Sequence, residues 1–389
     1  MDPEAVVTLF EQLCRINSPS REEREIANFV TNFLNGLGLE VQEDEAYLAE
    51  HINSTTGNLV ATLRATHGCE HLPRIFFSTH LDTVVPNPNL IIVRDRDANG
   101  REIIRTDGRS ILGADSKAGL CAILQAIRQV VEENRPHGQI QLLLTVCEEI
   151  GLHGARYLNY NLVESDFGFV FDSGPPVGDI IIQSPSHRTM TVTIEGRSAH
   201  AAVEPHRGVD AIQIAAHAIC LMRLGRIDDD TTANIGSIHG GEPEATNVVC
   251  PQVVITAEAR SLDNRKLSRQ ISHMRQCFRQ SAYKFGGRVT IDVFDECEGY
   301  ELDENDPPVR VVREAGRQIG LEATMKRSVG TSDANIFNRN GLPCCLVGTA
   351  QQNVHSNQEF VYVEDLVNTA LLALEIINVV VQEGHGANP

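Results

Sequence analysis

Two glutamates stand side by side in the stretch CEEIGLHGA (residues 147–155), where the apolar run Ile140, Leu142, Leu143, Leu144 and Val146 gives way to a glycine-rich turn. Such a run is what a strand buried on both faces looks like, and open α/β sheets place their chemistry beyond the carboxyl ends of their strands. Glu148 and Glu149 are therefore candidates for a divided task, with one carboxylate ligating a metal and its neighbour activating water. Cys147 sits at the end of the apolar run with no obvious histidine partner in sequence, which disfavours it as a nucleophile.

Acids and histidines recur at other strand ends. The run RIFFST (74–79) leads into His80-Leu81-Asp82. Residues two apart on an extended chain face the same way, so Asp82 is expected to bond the far nitrogen of His80 and fix its tautomer for a metal. ILGADSKAG (111–119) opens a helix whose apolar face is Leu120, Ile123, Leu124, Ile127 and Val131. Asp115 falls at its start, where aspartate is an ordinary cap and also a rigid carboxylate able to bridge two cations. Residues 167–171 form another apolar run ending in Asp172, and His355 sits in a loop after the apolar run 342–347.

His80, Asp115, Glu149, Asp172 and His355 together offer two imidazoles and three carboxylates. That set suits zinc, cobalt or manganese, and its nitrogen donors suit calcium and magnesium poorly. Five ligands exceed what one tetrahedral catalytic zinc takes. If Asp115 bridges, two divalent ions have three ligands each and share a hydroxide, and ions roughly 3.5–4 Å apart can acidify that water and polarise a carbonyl together. Glu148, the remaining carboxylate, is the expected general base that passes a proton to the departing amine. The reaction class is amide hydrolysis by metal-bridged hydroxide attack.

The elements that must position these residues fall into two patterns. The chain of 389 residues exceeds one ordinary core, so two domains are expected. Helical spacing predicts a helix over 3–17 and another from Ser20, behind an S-R-E-E capping pattern, to Gly36. Strands are expected at 40–43 and 58–63, a hairpin over 94–105 and a helical segment over 154–163. From Ser186 the order becomes strand (189–195), helix (208–224), strands (232–239 and 248–260), helix (264–283) and strand (288–296), the ferredoxin-like β-α-β-β-α-β unit. The first pattern then resumes with helices at 309–320 and 364–381. The fold class expected is α/β, a mixed-sheet catalytic domain in two parts (1–185 and 299–389) around an inserted α+β ferredoxin-like domain (186–298).

Composition narrows the function classes. The chain has 33 basic and 52 acidic side chains for a net charge of −19, which argues against nucleic acid or an anionic membrane as partner. No apolar run approaches the roughly 20 residues of a membrane span. The acidic, amphipathic start MDPEAVVTLFEQL does not read as a secretory signal. Ten cysteines scattered without CxxC spacing read as free thiols in a reducing cytoplasm.

His80-x-Asp82, GADSKAG, EEIGLHGA, FDSG at Asp172, SAHAAVEPHRGVDA (198–211) and the isolated His355 together resemble the co-catalytic zinc peptidase family of peptidase T, carboxypeptidase G and aminoacylase-1. The resemblance implies that His80 and Asp172 bind one metal and Glu149 and His355 the other, with Asp115 bridging, Glu148 as base and Asp82 orienting His80. It implies that the catalytic domain is zinc exopeptidase-like, that the inserted domain is a lid and dimerisation domain, that His200 stabilises the oxyanion in a neighbouring subunit's site, and that Asn247 and Arg260 bind substrate. GADSKAG, Asp172 and GTSDAN (330–335) resemble peptidase T and its relatives, aminopeptidases acting on short peptides. A carboxypeptidase or an N-acyl amino acid deacylase of the same chemistry, anchored by Arg260 and Asn247, is the alternative. A noncatalytic metal-binding scaffold would have no need of Glu148.

Overall fold

In the computed structural model, which describes residues 1–50 and 52–386, the apolar runs become the centre of a mixed sheet. Ile140–Thr145, Ile75–His80, Phe167–Ser173 and Cys344–Gly348 lie side by side in that order, all parallel. Leu59–Leu63 and then Glu40–Glu43 continue the sheet antiparallel on one side, and Ile180–Ser184 pairs antiparallel with Cys344–Gly348 on the other. Every residue of Ile75–His80 and of Ile140–Thr145 is buried, which is why their apolar residues fall at consecutive positions rather than alternating ones. Phe77 packs against Phe169 and Phe171. Its neighbour Phe76, on the other face, meets Phe337 of the helix Asp333–Arg339 edge-on, with ring centroids 5.5 Å apart.

The helix Ala114–Glu132 packs on Ile75–His80 and Phe167–Ser173, and on the helices Pro3–Arg15 and Val363–Gly386. Its approach is close because of Gly119: a Cβ there would stand 2.0 Å from the Phe171 carbonyl oxygen. A smaller antiparallel sheet, Gln351–Gln352, Phe360–Tyr362, Glu102–Thr106 and Ile92–Arg96, contains the expected hairpin and frames the loop that bears His355.

Two local expectations need correction. The helix Arg24–Gly36 starts after Glu23, which occupies the cap position without a side-chain cap bond, because the Ser20 hydroxyl is committed to Asp82 Oδ2 at 2.6 Å. The segment 154–163 is not one helix but a short helix, His153–Tyr157, and a 3-10 turn, Tyr160–Leu162.

Contacts divide the chain into two compact units, one formed by residues 1–182, 301–327 and the chain from 332 onward, the other by 183–300 and 328–331. The second unit has the strand order Thr231–Gly240, Gln252–Ser261, Ser186–Glu195, Arg288–Cys297, all antiparallel, with the short Gly225–Arg226 at one edge. This is the order of a ferredoxin-like sheet. Its alternating inward residues, such as Met190, Val192, Ile194, Val253 and Ile255, form a core with Ile214 and Phe278 of the helices Ala211–Leu221 and Asn264–Phe285. Asp210 and Asp263 cap those helices through backbone N–H groups of Ile212 and Gln213, and of Arg265 and Lys266.

Candidate metal centre

The carboxyl ends of the parallel strands and the loops beside them bring His80, Asp82, Asp115, Glu148, Glu149, Asp172 and His355 into one cluster within the first unit. Its geometry divides into two sets. His80 Nε2 lies 3.1 Å from Asp115 Oδ1 and 3.3 Å from Asp172 Oδ1. His355 Nε2 lies 3.2 Å from Asp115 Oδ2 and 3.1 Å from Glu149 Oε2. Asp115 thus turns one oxygen to each imidazole. The His80 side chain is 1% exposed and that of His355 50%, so one set is sealed in the sheet and the other opens to solvent.

Neighbouring groups hold His80 and the glutamate turn in place. His80 Nδ1 donates to the Asp82 backbone carbonyl at 2.9 Å, while the Asp82 carboxylate stands off at 3.4 Å. Both the backbone carbonyl and the carboxylate of Asp82 thus face Nδ1, which leaves Nε2 turned towards the other carboxylates. Asp82 spends its carboxylate on the turn that presents the glutamates, accepting Glu148 N at 3.0 Å and Glu149 N at 3.2 Å. The residue before them, Cys147, adopts φ +53°, and its N–H donates to Glu23 Oε1 at 3.0 Å. Burial, then the charges of Glu23 and Asp82, push the Cys147 thiol up, so it is no thiolate nucleophile.

Charge in the cluster is strongly redistributed. Burial opposes charge on His80, yet Asp172 and hydrogen bonds to Asp115, Asp172 and Asp82 raise it well above the ordinary imidazole value. Asp115 and then Glu149 raise His355 to about 10. Burial pushes Asp172 up to about 7, against His80, and pushes Glu148 well up, aided by Asp172, Asp333 and Glu149. Asp115 goes down despite burial, because both imidazoles donate to it.

Carboxylates crowded away from water call for positive charge. The same donors fit metal ions. Two ligand atoms about 2.0–2.1 Å from a tetrahedral zinc lie about 3.3 Å apart, close to the 3.1–3.3 Å spacings within each set. One donor atom each from His80, Asp115 and Glu149 lies within 4.8 Å of the other two.

The other expected residues lie in the second unit. His200 bridges to Val248, and its neighbour Ala201 donates to the Asn247 carbonyl at 2.8 Å, so His200 and Asn247 sit together. Arg260 is paired with Glu258 at 3.0 Å, whose Oε2 also lies 2.9 Å from His187 Nε2.

Sequence reasoning missed three carboxylates around the site: Glu23, Glu359 and Asp333. Glu23 passed as part of a capping pattern, and Glu359 carries no local signal. Asp333, in the noticed GTSDAN segment, is buried and accepts Thr145 Oγ1 at 2.5 Å.

A mixed α/β sheet with a buried imidazole and carboxylate cluster at its strand ends describes a metal-dependent hydrolase. The model of peptidase family M20/M25/M40 matches residues 76–378, and the chain belongs to that family. The protein YqjE of Bacillus subtilis is 38% identical over 95% of this chain and 96% of its own. A crystal structure of a tripeptidase from Staphylococcus aureus superposes with TM-score 0.91 at 37% identity, covering 98% of this chain and 99% of the other. Aminopeptidase PepT from Bacillus cereus superposes with TM-score 0.86 at 38% identity, over 98% and 99%. The protein is an enzyme, a peptidase T-like member of this peptidase family. No helix among the described residues is long and apolar enough to cross a membrane.

Proposed function

We propose that this chain is a di-metal aminopeptidase that removes the N-terminal residue of short peptides, with zinc as the natural ion and cobalt or manganese able to replace it. The observation that carries the reading is the division of Asp115, with Oδ1 at 3.1 Å from His80 and Oδ2 at 3.2 Å from His355. His80, Asp115 and Asp172 would hold one ion, and Asp115, Glu149 and His355 the other. When bound, the ions supply Lewis-acid polarisation of the scissile carbonyl and a water of lowered pKa. The tripeptidase and aminopeptidase relatives support a short peptide with a free amine as substrate.

The chain's own residues do the rest. Glu148 is 9% exposed, so its carboxylate works in a low dielectric where proton affinity is high. It takes a proton from the attacking water and delivers it to the departing amine. Asp82 keeps Glu148 and Glu149 diverging by pinning both of their N–H groups. His200 Nδ1 accepts from Ala202 N at 3.2 Å and Val203 N at 3.3 Å, which places its proton on Nε2 as a donor suited to a developing oxyanion. We assign that role to His200 of the partner subunit in a homodimer, with Asn247 and Arg260 contacting substrate and residues 186–298 acting as lid and dimerisation domain. The ten cysteines, none of them in a disulfide, support a reducing, cytoplasmic setting.

The test is mass-spectrometric product analysis of the zinc-, cobalt- or manganese-loaded protein given a free tripeptide, its N-acetylated form and an N-acyl amino acid. Release of the first residue from the free tripeptide alone is expected. Cleavage confined to the blocked substrates would replace the aminopeptidase reading with a carboxypeptidase or deacylase.

A further inference from the structure

The bridging aspartate sits on an unusual helix start. Gly113 occupies the cap position of Ala114–Glu132 with φ +76° and offers no side chain, and Asp115 and Ser116 have non-helical backbone angles. The N–H groups of this turn therefore need partners from elsewhere. They find one carboxylate: Glu359 Oε2 accepts Leu112 N at 2.8 Å and Gly113 N at 2.7 Å, and Oε1 accepts Asp115 N at 3.0 Å. Glu359 is 1% exposed and lies four residues after His355, just before the strand Phe360–Tyr362.

From this geometry we infer that Glu359 is a positioning residue for the metal pair. It fixes the turn that presents Asp115 and ties that turn to the loop that presents His355, so that each Asp115 oxygen faces its own imidazole. The inference rests on the di-metal reading of the same cluster. Hydrogen bonds from N–H groups to an ionised carboxylate are about twice as strong as neutral ones, and three of them converge here. A glutamine at this position has one acceptor oxygen and one NH2. One side of it must then present N–H to N–H, facing either Leu112 and Gly113 or Asp115. The turn loses a partner without losing volume. Since Asp115 belongs to both donor sets, both ions should weaken together.

The experiment compares zinc binding by wild type, Glu359→Gln and Glu364→Gln, using chelator competition and elemental analysis without substrate. Glu364 is a 74% exposed control on the same stretch. We expect Glu359→Gln to fold as wild type by circular dichroism and to bind both equivalents about 10–100-fold more weakly, the usual cost of losing an outer partner of a ligand. Glu364→Gln should match wild type. Wild-type affinity for both equivalents in Glu359→Gln would overturn the inference. If that variant does not fold, amide hydrogen exchange in metal-free wild type decides. Slow exchange at Leu112, Gly113 and Asp115 supports the carboxylate cradle, and exchange at the rate of open loops overturns it. A wild type that binds two equivalents of zinc but cleaves no peptide would refute the proposed activity while leaving this inference standing.

Discussion

Replacing Asp115 by alanine should cost the protein both ions, whereas replacing His355 by alanine should cost one. Asp115 supplies a donor to each set, and His355 approaches only the set containing Glu149. Zinc held by four ligands in small domains is bound with about 10–16 kcal/mol, so each ligand accounts for about 2.5–4 kcal/mol. At 1.4 kcal/mol per tenfold, one lost ligand weakens an ion by about 10²–10³-fold. Asp115→Ala applies that factor to both ions, and His355→Ala to one alone. The assay is zinc content after dialysis against graded chelator, with thermal unfolding as the folding control. A chelator concentration should exist at which wild type keeps two equivalents, His355→Ala one and Asp115→Ala none. Two equivalents retained by Asp115→Ala would refute the bridging geometry. Equal loss of both ions from His355→Ala would refute the division into two sets.

Glu148→Gln should keep its metals and its fold while peptide hydrolysis falls about 10²–10⁴-fold, and normal turnover by that variant would remove Glu148 from the mechanism. Gly119→Ala places a Cβ 2.0 Å from the Phe171 carbonyl oxygen, an overpacking expected to cost about 1–3 kcal/mol. A melting temperature equal to wild type would contradict the close helix–strand approach. In the second unit, a hydrogen bond from His187, opposed by burial and aided by Arg260, lowers Glu258 to about 2. A carboxylate with a depressed folded-state pKa adds stability above its unfolded value of about 4.3, lost as pH falls towards the folded value. Acid unfolding between those two values should accordingly be less steep in Glu258→Gln, and identical profiles would exclude this pair as a contributor.

Much of the site was legible because strand burial writes itself into the chain. Stretches such as Ile75–Phe77 and Leu142–Leu144 are apolar at consecutive positions since both faces are covered, and an acid or histidine shortly after such a stretch stands out. The strands and helices of the second unit were legible through one buried face per element. The supports were not legible. Glu359 reaches Asp115 across 244 positions and Glu23 reaches Cys147 across 124, and a carboxylate that accepts backbone N–H groups leaves no periodicity behind. Ser20 illustrates the opposite failure. Its S-R-E-E context is a sound local cap, yet a hydrogen bond to Asp82, 62 positions away, took the hydroxyl.

The place of Phe167–Ser173 in the sheet has a consequence for synthesis. One edge of this apolar strand pairs with Ile75–His80 and the other with Cys344–Gly348, which follows about 170 residues later. At translation rates of about 5–20 residues per second, the strand's second edge waits about 10–30 s for its partner while the whole second unit emerges. During that interval Phe169, Val170 and Phe171 form the border of an unfinished sheet, open to pairing with other nascent chains. His355 emerges later still, so the cluster at the strand ends is completed only after the strand that closes this border has been made.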